Sequence, residues 1–267
     1  MTWHAMTSEV ELFRHVRGLL LAETALFGSS AERAVLLRRD ELIASVNPHA
    51  PDRSMFNWVV PETPEALRQG YAAVADAYQA AGVRAWTVWL NPGEELTERW
   101  LAERGHTLDG RPRAMAADLS ELSLAPTTGL EWQETRDFSL AAAINDDAYG
   151  FPPPAFRAAL SGCDDSRWRA YLGLQNGRFV SSVLTFEAED GNCGVSGVAT
   201  LPEARGRGIA SRLLSVALDA AHTRGCRTTS LQASRKGAPT YARLGYRDLG
   251  AMSMWEHRVP APAPSAA

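Results

Sequence analysis

The sequence predicts an α+β fold carried twice in tandem, and three observations predict it. Strand-type runs alternate with apolar-periodic helices along most of the 267 residues. A shift of about 143 residues lays Gly82-Val83-Arg84 on Gly225-Cys226-Arg227, each at a helix end that turns into a strand. In the second half a strand runs into the turn Arg205-Gly206-Arg207-Gly208, which opens directly into a long amphipathic helix.

Residues 9–27 place Val10, Phe13, Val16, Leu20 and Leu21 on one side of a helix, which Gly28-Ser29-Ser30 breaks. Residues 33–39 are ambiguous, and 47–52, with Pro48 and Pro51, read as a loop. A strand over 55–60 precedes a helix over 65–81 that Gly82 stops. Residues 84–90, rich in aromatic and β-branched side chains, form a strand; a helix over 94–103 ends at Gly105, and 115–119 is a strand. The Ser/Thr/Pro-rich stretch 120–128 reads as a linker. It divides the chain into domains 1–125 and 126–258, with a Pro/Ala/Ser-rich disordered tail over 259–267.

The second half starts with a strand over 130–134, a helix over 138–149, a turn over 150–154 and a helix over 155–163. Strands 169–174 and 179–187 form a hairpin turned at Asn176-Gly177. Strand 193–200 leads into the glycine–arginine turn and its helix, which carries Ile209, Leu213, Leu214, Ala217, Leu218 and Ala221 on one face. A strand over 227–234, a short helix over 238–244 and one final strand over 246–257 complete it.

The composition, 45% hydrophobic and 22% charged with a net charge of −4, gives no global field for nucleic acid or an anionic membrane. No run of about 18 apolar residues occurs, so no membrane span is expected. Cys163, Cys193 and Cys226 are far apart and odd in number. They suggest neither a disulfide framework nor a metal site, and a reducing, cytoplasmic setting is the default.

The glycine–arginine turn carries the chemistry. Glycines let successive N–H groups point into one concavity, the helix start adds about half a positive charge, and Arg205 and Arg207 add whole ones. The result is an anion cradle suited to a pyrophosphate. A phosphate loop of the Gly-Lys-Ser/Thr type lacks its lysine, and a dinucleotide fingerprint lacks its third glycine, where Ser211 stands. At the equivalent place the first copy has Glu62-Thr63-Pro64-Glu65, in which Pro64 removes a donor and two acids repel phosphate, so it should hold no anion.

The segment Arg205-Gly206-Arg207-Gly208-Ile209-Ala210 fits the pattern Arg/Gln-x-x-Gly-x-Gly/Ala in every defined position. With Leu231-Gln232-Ala233-Ser234 and Tyr241-Ala242-Arg243-Leu244-Gly245-Tyr246, it makes the chain from about residue 130 to 256 resemble the GNAT superfamily of acetyl-CoA-dependent N-acyltransferases. The resemblance implies a mixed central sheet flanked by helices, with a degenerate first copy and an active second one. It implies that Val198, Ala199 and Thr200 pair with the pantetheine arm of acetyl-CoA. The backbone of Arg205, Gly206, Arg207, Gly208, Ile209 and Ala210 would hold the pyrophosphate, with Ser211 close by. Ser234 would touch the arm where relatives often have asparagine, and Tyr241 would be general acid to the departing thiolate.

The amine side is less defined. An alkyl amine with pKa near 10 is only about one part in a thousand neutral at pH 7, so a base is needed. Where some relatives carry a glutamate this chain has Gly194. Glu187, Glu189 or a water held by Ser196 are the candidates, against the plainer reading of the glutamates as solvated hairpin acids. Asp146, Asp147, Tyr149, Phe151 and Phe156 fall where the resemblance puts the acceptor pocket, and would suit a cationic amine. The plainer reading is a capped helix end and a packed turn.

The expected activity is direct transfer of acetyl from acetyl-CoA to a primary amine of a small molecule in a ternary complex, without a metal or a covalent enzyme intermediate. A non-catalytic acyl-CoA sensor, or an enzyme acting on protein lysines or N-termini, are the rivals. No nucleic-acid or membrane partner is expected, and either a monomer or a homodimer fits.

Overall fold

The computed structural model describes residues 7–151 and 154–260. Most of the expected disordered tail, 259–267, lies outside the described residues. In chain order the elements are α1 (Glu9–Ser29), β1 (Val35–Arg39), β2 (Leu42–Val46), β3 (Trp58–Pro61), α2 (Pro64–Ala80), β4 (Ala85–Leu90), α3 (Glu95–Ala102), β5 (Thr107–Gly110) and β6 (Arg113–Asp118). Then come β7 (Glu131–Thr135), α4 (Ser139–Tyr149), α5 (Ala155–Leu160), β8 (Trp168–Gln175), β9 (Arg178–Glu187), β10 (Asn192–Thr200) and α6 (Ile209–Thr223). The last are β11 (Thr228–Ala233), α7 (Ala238–Leu244), β12 (Arg247–Ala251) and β13 (Ser253–Arg258).

These elements form two compact units. One comprises the described residues up to Ala22 together with Pro112–Ala251; the other comprises Glu23–Arg111 and the described residues from Met252. The division differs from a boundary at 125/126, because two strands belong to the unit of the opposite half of the sequence. The first unit holds a seven-stranded sheet ordered β12-β6-β11-β10-β9-β8-β7, so β6 from the first half lies inside it. The second holds a six-stranded sheet ordered β1-β2-β3-β4-β13-β5, with C-terminal β13 inside it. The run 246–257 is accordingly two strands that part at Met252, where one strand was expected. Alternation along a strand reports its two faces and not the sheet it joins.

Both sheets are mixed, as expected. Each has one parallel pair, β10 with β11 and β3 with β4, joined across α6 and α2 respectively, while the remaining pairs are antiparallel. Helix α6 buries all six residues of its predicted apolar face. Leu213, Leu214, Ala217, Leu218 and Ala221 pack with Tyr171, Val183 and Val195 of the sheet in one core, each buried leucine contributing about 1.5–3 kcal/mol. In the second unit, Leu67, Val74 and Tyr78 of α2 meet Trp86, Val88 and Leu90 of β4. The hairpin turn Asn176-Gly177 has both residues left-handed, as its sequence demands.

Candidate active site

The site is built where two parallel strands part. β10 and β11 pair at Asn192↔Thr228, Cys193↔Thr229 and Gly194↔Ser230 only. β10 then continues to Thr200 with β9 as its registered neighbour, through an irregularity between Ser196 and Ala199. Gly197 makes this bulge possible. Its φ is +53°, and a Cβ there would sit 2.8 Å from Leu184 Cδ1.

Four consecutive carbonyls at the end of β10 are each taken by a side chain. Ser182 Oγ donates to Gly197 O (3.1 Å), the Tyr149 hydroxyl to Val198 O (3.0 Å), Ser181 Oγ to Ala199 O (2.8 Å) and Arg205 Nε to Thr200 O (3.0 Å). Asn145, buried on α4, adds Nδ2 to the Gly197 carbonyl at 3.4 Å. Sequence reasoning missed Asn145, Ser181 and Ser182, since nothing local marks a hydroxyl or amide that reaches a neighbouring backbone.

Beyond Thr200, buried Leu201, Ala204 and Ile209 pin the loop to the core. Gly206 (φ +74°) and Gly208 (φ +69°) take the left-handed conformations that other residues resist. Among the described residues no group accepts from the backbone N–H groups of residues 206–211. Six successive amides at a helix start, where the dipole is positive, form an anion cradle. Arg207 is exposed beside them and Arg212 reaches the Arg207 carbonyl at 3.4 Å. In the second unit the start of α2 is spent otherwise: Thr63 Oγ1 accepts from Ala66 N at 3.1 Å and Pro64 has no N–H.

Arg205 plays a different part from the one expected. Its amide donates to Pro202 O at 3.3 Å, and its guanidinium bridges Thr200 O and Ala148 O (2.8 Å). It braces the loop and the end of α4, and the amides left for an anion begin at Gly206.

Tyr241 lies on α7 with its ring edge-on to Tyr246, centroids 5.6 Å apart. Burial raises its pKa above that of an ordinary phenol, and the Tyr149 phenol adds to the shift. Its hydroxyl has no partner among the described residues. The other five tyrosines do: Tyr71 with His106, Tyr78 with the Ser45 and Trp58 carbonyls, Tyr149 with Val198 O, Tyr171 with Arg224, and Tyr246 with Thr229. Ser234, just past β11, uses Oγ to accept from Gly237 N at 3.2 Å.

The structure does not bring Glu187 to this end of the strand. Glu187 faces Cys193 in register, five residues before Val198, roughly 16 Å along the strand. Its carboxylate is held by Arg224 and by Arg169 Nε at 3.2 Å. Ser196, opposite Leu184, is half-buried at the bulge. Glu189 follows the end of β9, beyond Glu187. At Gly194 a Cβ would lie 2.5 Å from Leu19 Cδ1, so a side chain there requires Leu19 to move.

Tyr149, Phe151 and Phe156 do come together. Ring centroids lie 6.2 Å apart for Tyr149–Phe151, 6.5 Å for Tyr149–Phe156 and 5.6 Å for Phe151–Phe156. Phe156 is buried and Tyr149 is 53% exposed. Asp146 is no free acid: Oδ1 accepts from Phe156 N at 2.8 Å and caps α5, while burial raises its pKa. Asp147 is exposed. Among the described residues no group of three or more His, Cys, Asp or Glu could hold a metal ion, and no helix is long and apolar enough to cross a membrane.

A family model described as acetyltransferase (GNAT) family matches residues 131–246. Among solved structures, a GCN5-related N-acetyltransferase from Kribbella flavida is similar at a TM-score of 0.64 and 19% identity, over 92% of this chain and 95% of that one. A GCN5-related N-acetyltransferase from Sphaerobacter thermophilus gives 0.57 and 21%, over 85% and 84%. A tandem GNAT protein from the clavulanic acid biosynthesis pathway gives 0.54 and 12%, over 97% and 99%. These likenesses establish the fold. No curated protein sequence matches the chain.

Proposed function

We propose, from the match of residues 131–246 to the acetyltransferase (GNAT) family model, that the protein moves acetyl from acetyl-CoA to a primary amine of a small molecule, directly and within a ternary complex. The observation that carries this reading is the one uncommitted phenol. Of the six tyrosines only Tyr241 has a hydroxyl without a partner among the described residues, and it belongs to the unit that also has, among those residues, six unpaired amides at the start of α6.

These residues fit acetyl-CoA. The amides of residues 206–211, with Arg207, would hold the pyrophosphate; the end of β10 at Val198-Ala199-Thr200 would flank the pantetheine arm, with Ser234 bounding it from β11. Bound acetyl-CoA supplies an activated acetyl thioester. As the carbon–nitrogen bond forms and the carbon–sulfur bond breaks, Tyr241 gives its proton to the sulfur. The surplus proton on nitrogen leaves to water, held in this reading by Ser196, and Tyr241 recovers a proton from solvent. The products are the N-acetyl amine and the CoA thiol. A raised pKa keeps Tyr241 protonated at neutral pH. A thiolate released beside the same part-buried ring would also have its proton affinity raised, which offsets the weaker acid.

Three free cysteines are in keeping with a reducing, cytoplasmic compartment. The test is thiol release from acetyl-CoA across a panel of small primary amines, with product mass confirming N-acetylation. Binding of acetyl-CoA without thiol release for any amine, peptide amines included, would instead identify a sensor.

A further inference from the structure

The two phenols of the site have opposite polarity. Tyr241 keeps an uncommitted proton. Tyr149 has spent its proton on the Val198 carbonyl at 3.0 Å, and the acceptor is fixed because it is backbone of β10. A hydroxyl has one donor and two lone pairs, so the remaining hydrogen-bonding capacity of Tyr149 is to accept. The side chain is also held in place. Arg205 Nη2 grips the carbonyl of the preceding residue, Ala148, at 2.8 Å while its Nε holds Thr200 O, and the ring rests against Phe151 and Phe156. Yet Tyr149 remains 53% exposed.

We propose that Tyr149 positions the acceptor: its oxygen, able only to accept, takes a hydrogen bond from an N–H of the amine and sets the nitrogen beside the end of β10. The inference rests on the acetyl-transfer reading and adds how the amine is recognised. The neighbouring aromatic rings favour an amine carried on an apolar or aromatic body, with the cationic form attracted to their faces before it loses a proton. The Tyr149 phenol adds to the rise in the proton affinity of Tyr241, which agrees with the two rings lying within electrostatic reach of each other.

The experiment is steady-state kinetics of the full chain and its Tyr149→Phe variant with acetyl-CoA and tyramine, benzylamine, putrescine or glycine amide. Phenylalanine keeps the ring packing and removes the acceptor oxygen together with its hydrogen bond to the Val198 carbonyl. The expected result is a rise of about tenfold in KM for the amine, with kcat and KM for acetyl-CoA changed less than twofold, as for loss of one hydrogen bond. If the wild type transfers acetyl but the amine KM is unmoved, or KM for acetyl-CoA moves instead, the role of Tyr149 is overturned while the activity stands. If the wild type binds acetyl-CoA and acetylates neither these four amines nor any other on the panel, peptide amines included, both fall.

Discussion

A Cβ built on Gly194 would lie 2.5 Å from Cδ1 of Leu19 and 3.1 Å from its Cβ, so helix α1 is seated on β10 at the position where a catalytic glutamate was conceivable. Leu19 is 1% exposed. The whole leucine would have to move, since three of its atoms are involved. Gly194→Ala should therefore destabilise the protein by about 1–3 kcal/mol, read by denaturant unfolding. Leu19→Ala in the same chain should recover part of that loss, a coupling a double-mutant cycle measures. Additive losses would show that the contact does not exist.

Tyr241 and Tyr246 meet edge to face and should behave oppositely on loss of a hydroxyl. Tyr241→Phe breaks no hydrogen bond among the described residues, so its melting temperature should match the parent, while kcat falls about 10²-fold. Tyr246→Phe loses the 3.0 Å contact with Thr229. It should cost about 0.5–1.5 kcal/mol of stability and leave kcat nearly intact. A Tyr241→Phe enzyme at full turnover removes the general-acid role.

His106 should make the protein acid-sensitive. It is 3% exposed, with Nε2 2.9 Å from the Tyr71 hydroxyl and Nδ1 3.1 Å from the Trp255 carbonyl. Burial lowers its pKa to about 4, from about 6.5 in an unfolded chain. A base with a depressed folded pKa contributes stability that is present above the unfolded value and lost as pH falls through the folded one. Unfolding free energy should drop by about 3 kcal/mol between pH 6.5 and 4 on this account. His257, also lowered by burial, acts in the same direction. His106→Gln should flatten that dependence; an unchanged slope would assign the acid sensitivity elsewhere.

Much of this was legible in the chain. Residues 209–223 announce their helix by a 3.6-residue period, and Asn176-Gly177 and the two left-handed glycines of the cradle announce their turns, because these features are local. What was hidden depends on distant partners. β1 exposes most of its residues and carries Arg38 and Arg39, so no apolar alternation distinguishes it from a loop. Asp146 reads as an acid near a pocket until Phe156, ten residues on, is seen donating to it. Arg205 reads as a phosphate ligand until the carbonyls of Thr200 and Ala148 claim its guanidinium. Of the expected base residues, Glu187 fits its sequence position equally as a solvated acid, a base or an ion-pair member, and only Arg224 and Arg169 decide among them.

A cut at 125/126 should not release two working domains. Fragment 126–258 lacks β6, which lies between β11 and β12, and so exposes an edge of β11 inside what was the sheet. The expected outcome is an aggregating product without a cooperative melt, judged by size-exclusion chromatography and circular dichroism. A monomeric, cooperatively melting fragment would refute it.

The place of β13 between β4 and β5 also bears on how the chain is made. β5 pairs with β13 alone, so it has no berth until the last strand emerges. Roughly 140 residues separate the two, which at ribosomal rates is roughly 10–30 s of waiting with an open slot beside β4. During that interval the nascent N-terminal half presents an unpaired, aromatic-rich strand edge. Its dependence on chaperones should therefore be set by translation speed through the second half, more than by the stability of the finished protein.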